Sequence, residues 1–108
     1  MAYGWMGTTL EIDLTSGTIE RRETDPELNR TYLGGKGTNA KIFWDRVPPE
    51  VDAFSPDNLV IISPGLLTGT IVPSANKGVI TFKSPQTGLP YHSSLGARNL
   101  SPFHPTGI

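Results

Sequence analysis

The chain has 108 residues, with nine lysines and arginines against ten aspartates and glutamates, a formal charge of -1, and no cysteine. That length holds one domain rather than two, and the near-neutral balance excludes nucleic acid or an acidic membrane surface as the main partner. Without cysteine these residues offer no disulfide framework, thiolate metal site or iron–sulfur cluster ligand. A hydrophobic content of 36% beside 12 glycines and 10 prolines favours turns and irregular connections over long regular elements. The opening Met1-Ala2-Tyr3-Gly4-Trp5 has neither the basic stretch nor the apolar run of a signal peptide. No stretch approaches the ~20 apolar residues of a membrane span. The expectation is a soluble, cytoplasmic protein.

From Thr8 to Leu14 apolar and polar residues alternate: Leu10, Ile12 and Leu14 fall on one face, Thr9, Glu11 and Asp13 on the other. That is the period of a half-buried strand. Thr15-Ser16-Gly17 turns the chain and Thr18 to Arg22 returns as a more polar strand, predicting a hairpin. Glu20, Arg21, Arg22 and Glu23 are charges of the kind that protect a sheet edge. Asp25-Pro26-Glu27 then signals a helix start, with Asp25 as N-cap and Pro26 at the first helical position. The helix is expected to reach about Leu33 and stop at Gly34-Gly35-Lys36-Gly37. A second helix follows over Thr38–Arg46, with Ala40, Phe43 and Trp44 as its apolar surface and Asn39, Lys41 and Asp45 facing water. Val47-Pro48-Pro49 ends it. Leu59-Val60-Ile61-Ile62 reads as a strand buried on both faces, and residues 65–70 as irregular. Lys77–Lys83 is a further strand, Ser84-Pro85-Gln86-Thr87-Gly88 a turn, and Tyr91–Leu95 a last short strand. The fold class is α+β, mainly β: a broken helix on antiparallel strands. Residues 1–96 form the domain, and 97–108 read as an irregular tail in which the pattern decays.

Two segments suit an anion. The glycines at 34, 35 and 37 let the backbone turn tightly into a helix start, where free N–H groups and the positive dipole end favour negative charge. The commoner use of such a turn is a change of chain direction, and here a helix precedes it, so neither a Walker A loop nor a dinucleotide fingerprint is present. The second segment is more specific. Asn76 and Lys77 enter one strand while Ser93, Ser94 and Gly96 leave the next, so hairpin pairing brings them together at its open end. An ammonium, an amide and two hydroxyls match phosphate oxygens; the plain alternative is that Lys77 is a solvated edge lysine. Catalytic constellations are scarce. His92 and His104 have no metal-like spacing to other ligands, and no nucleophile elbow occurs.

Taken together, several pieces resemble the N-terminal domain of the aldehyde ferredoxin oxidoreductase family of tungsten enzymes. They are Tyr3-Gly4-Trp5 with Leu10-Glu11-Ile12-Asp13-Leu14-Thr15-Ser16-Gly17, Tyr32-Leu33-Gly34-Gly35-Lys36-Gly37, Phe54-Ser55-Pro56-Asp57-Asn58, Ser63-Pro64-Gly65 and Lys83-Ser84-Pro85-Gln86-Thr87-Gly88. The run from Gly37 to Val51 is most similar to the branch that includes the catalytic subunit of class II benzoyl-coenzyme A reductase. The resemblance implies a β-rich platform domain that supports a tungsten or molybdenum bis-pterin cofactor with magnesium. It places an arginine at the position of Lys77 and an asparagine at that of Ser94, both touching the pterin phosphates and their bridging magnesium. Lys77 keeps the charge but loses the bidentate fork, and Ser94 keeps an oxygen with shorter reach. Cofactor binding is therefore assigned by resemblance to Asn76, Lys77, Ser93, Ser94 and Gly96, with no catalytic or metal-ligating residue.

The cluster cysteines and the acid/base residues that the resemblance implies belong to later domains. The platform is also about half the expected size, so the tail reads as a truncation, a separately encoded piece or an artificial boundary. The first reading is an N-terminal cofactor-platform segment of an oxidoreductase acting on aldehyde or oxo-type groups with ferredoxin-like electron transfer. It would be inactive alone, its partners being the remaining domains or subunits. The second is a non-catalytic module that self-associates. The third is phosphate or nucleotide binding at the glycine cluster through Lys36.

Overall fold

The structure, a computed structural model, describes residues 7–68 and 71–96. In chain order it contains β1 (Thr8–Asp13), β2 (Thr18–Glu23), α1 (Pro26–Tyr32), α2 (Gly35–Arg46), β3 (Ile61–Pro64), β4 (Lys77–Lys83) and β5 (Pro90–Gly96). The predicted order of hairpin, broken helix and antiparallel strands is what forms. The tail 97–108 and the segment Tyr3-Gly4-Trp5 lie outside the described residues.

β1 and β2 pair antiparallel from Thr8↔Glu23 to Asp13↔Thr18. Asp13 sets the turn: its Oδ1 accepts the Thr15 N–H at 2.9 Å, its carbonyl accepts the Gly17 N–H at 2.8 Å, and Gly17 takes a φ of 72°. The hairpin is a two-stranded sheet of its own. The expectation of a half-buried apolar face therefore holds only at Leu10. Ile12 is exposed and Leu14, beyond the strand, is 90% exposed, because among the described residues no third strand pairs with the ribbon. A surface ion pair, Arg46 Nη2 to Glu11 Oε1 at 2.8 Å, ties the hairpin to α2.

α1 begins as its sequence dictates. The Asp25 carboxylate accepts the Glu27 N–H at 2.9 Å and Pro26 occupies the first turn. It ends at Leu33, in the left-handed region with φ 72°, whose N–H returns to the Asn29 carbonyl at 2.7 Å. Gly34, at φ 96°, reverses the chain. α2 then starts at Gly35 rather than at Thr38, so two of the glycines lie inside its first turn. The reason is steric: a Cβ on Gly37 would stand 2.5 Å from the Tyr32 carbonyl oxygen. Only glycine lets α2 begin hard against the end of α1.

β3, β4 and β5 form an antiparallel sheet in that order. The rows Ser63–Val79–Ser94 and Ile61–Thr81–His92 lie on one face, and Ile62–Ile80–Ser93 and Phe82–Tyr91 on the other. α2 covers the first face, turning Asn39, Phe43 and Val47 toward it. This reverses part of the predicted amphipathic pattern. Asn39, expected in water, is 1% exposed, whereas Trp44, expected in the core, is 81% exposed. The strip that α2 meets is polar, so the helix docks by hydrogen bonds: Ser63 Oγ donates to Asn39 Oδ1 at 2.8 Å, and Asn39 Nδ2 donates to the Ile61 carbonyl at 3.5 Å. Thr38 Oγ1 donates to Asn29 Oδ1 at 3.1 Å, joining the two helices. β3 also departs from expectation. It is shifted toward Pro64 and is an edge strand, with Val60 and Ile62 exposed rather than buried on both faces. At the other end of the sheet the turn 84–88 forms as read, Gly88 (φ 69°) donating to the Ser84 carbonyl at 2.8 Å. There the buried Lys83 ammonium donates to the carbonyls of Pro49 and Val51 and holds the loop after α2 against the sheet.

Two substitutions test this construction. Gly37→Ala is expected to cost about 1–3 kcal/mol by overpacking against a main-chain carbonyl, while Gly96→Ala, where a Cβ meets nothing within 4 Å, stays within about 0.5 kcal/mol; urea midpoints measure both. Asn39→Leu should cost about 1–3 kcal/mol by stranding the Ile61 carbonyl and the Ser63 hydroxyl. Adding Ser63→Ala in a double-mutant cycle should return part of that loss.

Candidate functional site

The open end of the β4–β5 hairpin is built by register. Lys77 stands opposite Gly96 and Val79 opposite Ser94, so Lys77, Ser94 and Gly96 share the face that α2 covers. Diagonal neighbours of this kind lie about 7–8 Å apart, within reach of a lysine chain. Ser93, opposite Ile80, falls on the reverse face. Asn76 precedes β4, exposed, its N–H turned back to the Ser74 carbonyl at 3.1 Å in a turn where Ser74 takes φ 62°. Of the five residues singled out in the sequence, the structure thus gathers three on one face, sets one beside them in the chain and puts one behind.

The backbone of this corner is fixed from the side. The Lys77 carbonyl accepts both the Gly65 N–H at 2.9 Å and the Thr68 hydroxyl at 2.6 Å, and Thr68 is buried. A Cβ on Gly65 would lie 2.8 Å from that same carbonyl oxygen. The sequence reading left 65–70 as irregular; the Gly-x-x-Thr spacing from Gly65 to Thr68 is the signal that it passed over. The Lys77 side chain itself remains exposed.

α2 starts at the same end of the sheet. The position of a Cβ on Gly35 lies 4.0 Å from the Pro64 carbonyl oxygen, and Pro64 pairs with Gly78 next to Lys77. The two anion candidates of the sequence, glycine turn and strand corner, therefore occupy one end of the fold. His92 joins them on the shared face, two residues before Ser94. Its Nδ1 is 2.8 Å from the hydroxyl of Thr81, which is fully buried. Burial, and then the positive charge of Lys36 in the first turn of α2, hold its pKa below the usual 6.5. The metal-ligand spacing of His92 is uninformative, whereas its period-2 relation to Ser94 marks the common face. Among the described residues no group of three or more His, Cys, Asp or Glu is placed to hold a metal, and His104 lies outside them.

A cavity of about 400 Å³ runs beside the corner between the hairpin, α2 and β3, walled by Leu10, Ile12, Ile42 and Ile62 and reaching Gly35 and Pro64. Among the described residues no helix is long and apolar enough to cross a membrane.

The sequence model of the aldehyde ferredoxin oxidoreductase N-terminal domain matches residues 9–108. The chain belongs to this family. Curated relatives include tungsten-containing aldehyde ferredoxin oxidoreductases of Pyrococcus abyssi, 36% identical over 86 residues, and Pyrococcus furiosus, 37% identical over the same length. Each alignment takes in 80% of this chain and 14% of the relative. The WOR-like subunit of an aliphatic sulfonate oxidoreductase of Pyrococcus furiosus is 28% identical over 88 residues. Among solved structures, the active-site complex BamBC of benzoyl-coenzyme A reductase, with 1,5-dienoyl-CoA, superposes with a TM-score of 0.85 at 54% identity. That match covers 87% of this chain and 14% of the other. The α+β, mainly β architecture is thus the family's N-terminal domain fold, and the chain spans 14% of the length of the relatives it matches.

In this family member His92 carries a pH signature. The unfolded chain takes up its proton near the ordinary pKa, the folded chain only at lower pH. Its contribution to stability is therefore complete above about pH 6.5 and lost as pH falls through the depressed folded value. The difference in unfolding free energy between wild type and His92→Gln, in which the carboxylates cancel, should shrink between about pH 7 and about pH 5. Urea titrations at each pH measure it.

Proposed function

We propose that this chain is the N-terminal cofactor-platform segment of a tungsten or molybdenum bis-pterin oxidoreductase, working only together with the remaining domains or subunits of that enzyme. The observation that carries the reading is the corner where Lys77, Ser94 and Gly96 share one face at the start of α2 in a chain of a tungsten-enzyme family. The donor set fits the phosphates of such a cofactor and their bridging magnesium. Lys77 supplies a compact positive charge and Ser94 a hydroxyl that donates to a phosphate oxygen or accepts from a water on the metal. At Gly96 nothing lies within 4 Å of where a Cβ would be, which leaves room for close approach. Asn76 lies at the rim of the corner, and Ser93 falls on the reverse face. When bound, the tungsten centre supplies the redox chemistry. The residues of this chain bind and orient its phosphates.

We propose a substrate class as well. Identity of 54% with the benzoyl-coenzyme A reductase complex, against 36–37% with the aldehyde enzymes, favours an aromatic coenzyme A thioester over a free aldehyde or other oxo-type group. Electrons would come from a ferredoxin-like donor through clusters held outside this chain, in keeping with its lack of cysteine. A second reading, a self-associating module without chemistry, is favoured by the open sheet face, where Ile62 and Tyr91 are each 53% exposed. Light scattering that finds a stable monomer counts against it.

Co-expression with the rest of the enzyme, followed by elemental analysis, tests the main reading. The complex should contain tungsten or molybdenum. Lys77→Ala should lower the metal content about tenfold, the loss of one charged hydrogen bond, with unchanged circular dichroism, and Lys77→Arg should retain it. A complex without either metal overturns the proposal.

A further inference from the structure

The imidazole of His92 has one nitrogen committed and one free. Its Nδ1 lies 2.8 Å from Thr81 Oγ1, and Thr81 is fully buried; with that hydroxyl donating to Nδ1, the neutral ring carries its proton on Nε2. Every buried side-chain nitrogen or oxygen among the described residues has a partner, and Nε2 has none among them, which leaves it open to solvent. We propose that His92 is an anion-binding residue of this corner, its Nε2–H donating to a phosphoryl oxygen that Lys77 and Ser94 also hold.

The proposal rests on the phosphate-site reading given above and adds a ligand-facing residue to it. Geometry supports it in two ways. Alternate residues of a strand lie about 7 Å apart, close enough for His92 and Ser94 to reach one phosphoryl group from either side. The charge nearest the ring is also positive: Lys36 from α2 acts on His92, and Lys77 lies on the same face of β4, while the Lys83 ammonium is taken up by the carbonyls of Pro49 and Val51. The β3 residues on that face, Ile61 and Ser63, are uncharged, and farther along α2 Lys41 is neutralised by Asp45 at 2.9 Å. Burial and the charge of Lys36 oppose protonation of His92 in the empty corner, and a bound anion offsets that charge. Anion affinity must then rise as the pH falls.

Sulfate is the probe, because it does not itself titrate over the range used. With the ¹⁵N-labelled full chain, imidazole correlation spectra are followed against sulfate at about pH 7.5 and about pH 5.5. Sulfate should shift the His92 Nε2 resonance and raise the His92 pKa, and its affinity should increase about threefold or more toward low pH. His92→Gln should flatten that dependence, and Lys77→Ala should weaken binding at both pH values. If Lys77→Ala weakens binding while the His92 resonances stay still and His92→Gln keeps the pH dependence, the role of His92 is overturned and the phosphate site stands. If sulfate does not bind, or binds as an adventitious ion only, unaffected by Lys77→Ala, both fall. Should His92→Gln fail to fold, the imidazole titration of the wild type decides alone.

Discussion

The contact on which the rest of the structure depends is the abutment of Gly37 on the Tyr32 carbonyl. With no Cβ at 37, the first turn of α2 presses against the end of α1, and the direction in which α2 leaves is set there. That direction lays Asn39, Phe43 and Val47 along the sheet and brings the glycine turn over the end where β3 finishes and β4 starts. Everything of functional interest follows from that placement: Lys36 reaches the neighbourhood of His92, and the strand corner acquires a helix start.

The described part of the fold is unusual in what it buries. Phe43, Val47 and Val79 are its buried apolar residues, while Asn29, Thr38, Asn39, Thr68, Thr81, Lys83 and Ser84 are buried polar ones. Hydrogen bonds of this kind add modest net stability but heavy penalties for misalignment. They fix the register of helix on sheet more strictly than a greasy contact would. The apolar side chains that a domain of this size normally encloses are found instead on the open sheet face and the outer side of α2, at Ile62, Tyr91 and Trp44. The corner is thus held by polar contacts while apolar surface stands open elsewhere, in a chain spanning 14% of the length of its relatives.

Much of the fold was legible residue by residue. The Asp25-Pro26 cap, the hairpin turn at Gly17 and the strands on either side of Ser84–Gly88 obey local rules and formed where those rules put them. The misreadings share one cause. Asn39 and Trp44 were assigned by polarity, and the rule fails when a helix docks on a strip of hydroxyls and carbonyls. Leu59–Ile62 reads as a core strand because apolar runs do not disclose whether a second strand lies beside them. At the site, the meeting of the two segments at the open end of the hairpin follows from the sequence, whereas the pairing of Lys77 with Gly96 and the placement of Ser93 on the reverse face come from the register. The hold of Gly65 and Thr68 on the Lys77 carbonyl did not, because it is a loop contact with no period.

That hold has an implication for how such a site changes over time. Main chain and side chain at position 77 answer to different masters: the carbonyl is gripped by a neighbouring loop, while the ammonium projects free of the fold. A socket gripped in this way accepts a new head group without refolding. An arginine-to-lysine exchange there changes the head group and leaves the scaffold indifferent, so the side-chain chemistry of the corner can drift faster than the architecture that carries it.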